Sequence, residues 1–115
     1  MKQIEINGKK YPVRFAYKAI RGIMLDLDLT FKDFENETKV VSLMNEIHVF
    51  LFHGLKSGYK FEDREFKMSQ DDIIDLIDSQ DDYTQLATEI FEIFTSSMVK
   101  EEKKKKPVRK PANQV

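Results

Sequence analysis

The sequence predicts a mainly α-helical domain of about four helices with an N-terminal β-hairpin. Three observations carry that expectation. Two short alternating segments flank Asn7-Gly8, later stretches repeat apolar residues every three or four positions, and Ser-Gln-Asp-Asp occurs twice ahead of such a stretch.

The hairpin is expected over residues 2–15. Ile4 and Ile6 alternate with Gln3 and Glu5, and Asn7-Gly8 readily supplies the two positive φ angles of a type I′ turn. The return segment places Tyr11, Val13 and Phe15 on one face, and Pro12, lacking an N–H, fits an edge position. A first helix is expected from about Ala16 to Leu27, with Ala16, Tyr17, Ile20, Ile23, Met24 and Leu27 on its stripe and Leu25 and Leu29 off it. Thr30-Phe31-Lys32-Asp33 reads as a capping box opening a short turn, with Phe31 and Phe34 directed to the core.

A second long helix is expected from about Glu37 to Lys56, ended by Ser57-Gly58 as a glycine cap. Val40, Leu43, Met44, Ile47, Phe50, Leu51 and Leu55 form its stripe, and Val41, His48 and Phe52 widen the apolar arc beyond half the circumference. A helix that apolar is expected at the centre, covered on several sides. The charged segment Tyr59–Met68 offers Phe61 and Phe66 as anchors. Ser69-Gln70-Asp71-Asp72 caps a third helix to Asp78, with Ile73, Ile74, Leu76 and Ile77 buried. Ser79-Gln80-Asp81-Asp82 repeats that start for a fourth helix to about Val99. Its stripe is Tyr83, Leu86, Ala87, Ile90, Phe91, Ile93, Phe94 and Met98.

Residues 1–99 thus form one helical domain, and 100–115 a basic tail. The tail holds seven basic and two acidic residues, whereas the domain holds twelve basic and eighteen acidic, a net charge of −6. Lysine- and proline-rich with few apolar residues, the tail is expected to be disordered from Lys103. An acidic body argues against an electrostatic grip on nucleic acid, and no aromatic residue interleaves Lys103, Lys104, Lys105 and Lys106 to stack bases. No apolar run approaches membrane-spanning length, and no secretory h-region follows Met1.

No catalytic, metal or cofactor site is expected. Cysteine is absent, which removes thiolate ligands and a thiol nucleophile. His48 and His53 are five residues apart, about 140° around a helix, whereas paired metal ligands need spacings of about three or four. They read as a core-edge and a surface histidine. Asp78, Gln80, Asp82 and Glu89 mimic a calcium loop, but Tyr83 stands where its sharp turn needs glycine, and the segment reads better as a helix start. Paired carboxylates such as Asp71/Asp72, Asp75/Asp78 and Asp81/Asp82 read as solvated helix starts. With four glycines and no phosphate-loop or nucleophile-elbow motif, no enzyme is expected.

What is left is binding. Leu25, Leu29, Val49 and Phe52 lie off their stripes, and with Phe91 and Phe94 of the last helix they are the candidate partner contacts. The alternative is that the hairpin or Tyr59–Met68 covers the off-stripe residues. The basic run Lys103–Lys106 could touch RNA, DNA or anionic lipid non-specifically, but its composition reads better as a solubilising tail.

The order of parts resembles the tail assembly chaperones of long-tailed bacteriophages and prophages, particularly those of Gram-positive hosts. The resemblance rests on Ile4-Glu5-Ile6-Asn7-Gly8-Lys9-Lys10-Tyr11 leading into an apolar helix and on the Thr30–Phe34 segment. It rests also on a long helix carrying Phe52-His53-Gly54-Leu55, and on Met68–Asp78 ahead of an amphipathic helix. It implies a small helical protein without enzymatic activity or cofactor. Such a protein binds the tape measure protein, with other tail proteins, in the cytoplasm of the bacterial host and is absent from the mature virion. It also implies that a longer, frameshifted form is often made, with which the Lys103–Lys106 run is compatible. Self-association is left open. Two other readings stand beside it: a regulatory or nucleic-acid-associated protein using the basic tail, and a structural tail or connector component.

Overall fold

The computed structural model describes residues 2–113, and their side chains except those of Glu37, Val40 and 99–113. Strands β1 (Lys2–Ile6) and β2 (Lys9–Val13) pair antiparallel, with Ile4 opposite Tyr11 and Ile6 opposite Lys9. Asn7 and Gly8 take φ values of 53° and 79°, the two left-handed positions of a type I′ turn. The turn is also tied to the other end of the fold: the Asn7 N–H donates to Gln80 Oε1 at 2.9 Å, and its side-chain amide donates to Ser79 Oγ.

Helix α1 (Tyr17–Leu27) buries Ala19, Ile20 and Ile23. Tyr17, expected on the buried stripe, is exposed, because the inward face is centred on Ile23 and Tyr17 lies about 120° around the helix from it. Asp28 ends the helix in the left-handed region, and the Leu29 N–H reaches back to the Met24 carbonyl at 2.9 Å. That reversal folds Leu29 onto the last turn of the helix and buries it. A 3-10 turn over Phe31–Glu35 follows, closed by the Thr30 N–H donating to Asp33 Oδ2 at 2.8 Å. Phe34 packs inward from this turn, whereas Phe31, expected to do the same, points to solvent.

The second long helix is helical throughout but divided. Helix α2 (Glu37–Ser42) passes through a 3-10 turn (Leu43–Glu46) into α3 (Ile47–Phe61). Helix α3 is the centre of the molecule, in contact with β2, α1, α4 and α5. It does not stop at Gly58. It continues to Phe61, and Asp63 supplies the left-handed residue after it, with the Arg64 N–H returning to the Tyr59 carbonyl at 2.8 Å. Gly58 has a different task. A Cβ built there would fall 2.3 Å from the Pro12 carbonyl oxygen, so the strand backbone lies directly on the helix. One turn earlier, Gly54 opens the same face, and its carbonyl accepts the Arg14 N–H at 3.0 Å.

Helix α4 (Gln70–Asp78) starts with a reciprocal cap. The Ser69 N–H donates to Asp72 Oδ2 at 2.9 Å, and the Asp72 N–H donates to Ser69 Oγ at 3.1 Å. Ser69→Ala is expected to cost about 1 kcal/mol of stability, read as a lowered urea midpoint at unchanged slope. Of the four residues expected to be buried, Ile73 is fully so, Leu76 and Ile77 are half-buried, and Ile74 is exposed.

Helix α5 (Tyr83–Asn113) is capped by Asp82, whose Oδ1 accepts the N–H groups of Thr84 and Gln85. Ser79, expected to share in that start, instead closes α4 by donating to the Leu76 carbonyl. Leu86, Ala87, Ile90 and Phe94 face the core, and Tyr83 does not. The backbone is helical to Asn113, where disorder was expected from Lys103. Lysine and glutamate are good helix formers, although Pro107 and Pro111 each remove one helical hydrogen bond.

Candidate partner-binding surface

The six apolar residues singled out by sequence separate into distinct environments. Leu25 is 64% exposed on α1 and is the one that stands free in solvent. Leu29, Val49 and Phe94 are core. Leu29 is buried by the chain reversal at Asp28, and Val49 because α3 is covered on several sides. Phe94 is the hub of an aromatic cluster, with ring centroids 5.3 Å from Phe15, 5.3 Å from Phe34 and 5.1 Å from Phe50. These three residues are therefore closed to a partner in this conformation. Phe91 is half-buried against Phe50. Phe52 is half-buried beneath Phe66 of the Tyr59–Met68 segment, at 5.6 Å, so that segment does cover the off-stripe face of α3. Phe61, the other expected anchor, is exposed with the Arg14 guanidinium over its ring. The side chains of Lys103–Lys106 lie outside the described residues.

The histidines also depart from expectation. His53 is not a surface residue. Its Nε2 lies 2.7 Å from Asp26 Oδ2, and Gln70 donates to the same oxygen at 3.2 Å. The other ring nitrogen faces the backbone of α1 at Gly22, where a Cβ would meet it at 2.5 Å. A histidine–carboxylate pair can serve a nucleophile only if that second nitrogen opens onto a cleft. Here it is closed, and the group acts as a pin joining α1, α3 and the start of α4. Neither spacing nor stripe signalled this, since Asp26 and Gln70 come from other elements. Among the described residues, no cluster of three or more histidine, aspartate or glutamate side chains could hold a metal ion. No described helix is long and apolar enough to cross a membrane.

Two surface depressions flank the α4–α5 connection. The first, of about 400 Å³, lies beside the hairpin turn and is polar, with Glu5, Asn7, Gln85 and Glu89 around Asp82, which is already engaged as the helix cap. The second is more apolar, although Asn45, Asp78 and Gln80 also line it. It runs between the 3-10 turn before α3, the outer face of α4 and the first residue of α5, with a volume of about 310 Å³. Ile74 and Tyr83, 44% and 62% exposed, form its open side, and half-buried Met44, His48 and Ile77 its floor. Sequence reasoning placed Met44, Ile74, Ile77 and Tyr83 on buried stripes. Their helical period was right, but the elements needed to cover that arc are turned elsewhere. No family model, curated protein or solved structure matches this chain.

Proposed function

We propose that this chain is a non-enzymatic tail assembly chaperone of a bacteriophage or prophage, binding the tape measure protein in the host cytoplasm while the tail forms. The observation that carries the reading is the apolar groove at Met44, Ile74, Ile77 and Tyr83. An aggregation-prone helical client presents apolar stripes, and a holdase for it needs an adaptable apolar surface of this kind. Methionine on the floor suits it, since its unbranched side chain repacks readily around different contacts. The element order supports the reading from a second side. A hairpin with an Asn-Gly turn, an apolar helix, a short capped turn, a long central helix, a Ser-capped helix and an amphipathic last helix is the layout on which the resemblance to these chaperones rests. A binding protein of this type has no reaction to perform, and the residues assigned here hold helices together or contact the client.

The test is co-expression with the tape measure protein from the same phage genome. The expected result is that the client becomes soluble and co-purifies with this chain, while mass spectrometry of purified virions finds the client and not this chain. If client solubility is unchanged and no complex forms, the reading fails. If this chain is found in virions in stoichiometric amount, it is a structural tail component instead.

A further inference from the structure

The charges around the groove are one-sided. From Met68 to Met98 the chain carries eight acidic residues and no lysine or arginine. That interval supplies all of α4 and the first half of α5, and so one wall and one end of the groove. Asp78 lines it directly, whereas Asp81 and Asp82, which precede Tyr83, line the polar depression on the other side of the α4–α5 connection; all three are exposed. On the opposite wall Glu46 approaches His48, its carboxylate 3.9 Å from Nε2. Among the described residues no lysine or arginine lines the groove, whereas Lys18, Lys56, Lys60 and Arg64 gather, with Asp63 and Glu65, on a separate surface between α1 and the end of α3.

We infer that the groove is a docking site for a cationic amphipathic helix of a partner protein. The helix seats its apolar stripe on Ile74, Ile77 and Tyr83 and sets its lysines or arginines against Asp78 and the acidic residues beside it. The inference names the chemistry of the client segment and rests on the binding reading above. Three helical segments bound the groove and the hairpin lines none of it, so no free strand edge is offered and an extended peptide has nothing to pair with. Apolar anchors spaced at i, i+3 and i+4 match a groove walled by helices. The acidic rim rejects helices whose polar face is acidic and speeds encounter with basic ones.

The test uses fluorescence anisotropy with synthetic helices of about 18 residues, long enough to hold helical structure when bound. One has a leucine stripe and a lysine polar face, one the same stripe with glutamate, and one the lysine composition scrambled to break the stripe. The lysine helix is expected to bind at least about tenfold tighter than either of the others, with the preference over the glutamate helix shrinking between about 0.05 and 0.5 M salt. Ile74→Ala and Tyr83→Ala should each weaken it about tenfold while the thermal melt of the protein is unchanged, since both side chains are exposed.

Equal binding of the scrambled peptide would mean charge alone is recognised, and equal binding of the glutamate helix would remove the selection; either overturns the inference. So does binding that is indifferent to both substitutions. It is overturned also if the wild-type chain forms a salt-sensitive dimer, blocking the peptide, that is relieved by replacing Lys103–Lys106 with serine. The groove would then hold a second copy's tail. The two proposals fail separately. A peptide that binds as expected beside a tape measure protein that does not co-purify removes only the chaperone reading. A complex with the client that ignores Ile74→Ala and Tyr83→Ala removes only the groove.

Discussion

Phe94→Ala is expected to remove about 4 kcal/mol of stability, the range for truncating a fully buried phenylalanine. Phe94 is 2% exposed and touches the rings of Phe15, Phe34 and Phe50, which come from the segment after β2, the 3-10 turn after α1, and α3. Its loss leaves a cavity where three parts of the chain converge on α5. No single neighbour can fill that cavity, because each ring is held by its own element. A domain of this size has about 5–15 kcal/mol in total, so the variant should show a large drop in urea midpoint and a melt well below that of wild type. Leu25→Ala is the matched control. At 64% exposure its expected change is within about 0.5 kcal/mol. The pair also separates two roles for Phe94. A core residue loses stability on truncation, whereas a partner contact would lose binding and keep its melt.

Gly58→Ala is expected to cost about 2–3 kcal/mol, although alanine is the better helix former by about 1 kcal/mol. The added methyl would stand 2.3 Å from the Pro12 carbonyl oxygen and 2.6 Å from the carbonyl carbon, and these are backbone atoms that no rotamer change can move. Relief requires β2 to lift from α3. That in turn strains the Arg14 N–H bond to the Gly54 carbonyl and withdraws Val13 and Phe15 from the core. Ser57→Ala, on the neighbouring and only half-buried position, should change stability by less than about 0.5 kcal/mol. Denaturant titration of the two variants side by side gives the comparison. An unchanged midpoint for Gly58→Ala would mean that the strand does not lie on the helix at that point.

Both predictions concern residues whose type was visible in the sequence and whose role was not. Gly58 reads naturally as a helix stop, because a glycine after a polar residue at the end of an apolar stripe commonly caps one. Only the crossing of β2 shows that its missing side chain is used for close approach. The actual helix ends use aspartate in the left-handed region, at Asp28 and Asp63, where local sequence gives a weaker signal than glycine would. His53 is similar: the aspartate and the glutamine it meets are distant in sequence, and no pattern on its own helix indicates them.

Apart from Leu25, the exposed apolar residues are not the ones singled out as partner contacts. The off-stripe residues could be either exposed or covered; Leu25 is exposed and Leu29 and Val49 are covered, while Ile74 and Tyr83, on the stripes of α4 and α5, are open. Periodicity identifies which side chains share a face of a helix. It does not say which part of that face a neighbour reaches, and α4 is short enough that its outer edge stays uncovered.

The sequence by itself determined the local elements: the Asn7-Gly8 turn, the Ser69/Asp72 and Thr30/Asp33 caps and the four helical stretches. Each depends on interactions within a few residues, so the information is local. The tertiary structure alone decided where α3 ends, which apolar residues are core, and where the groove opens between Met44 and Tyr83. Those outcomes depend on which elements meet, a matter of long-range packing that no window of sequence contains.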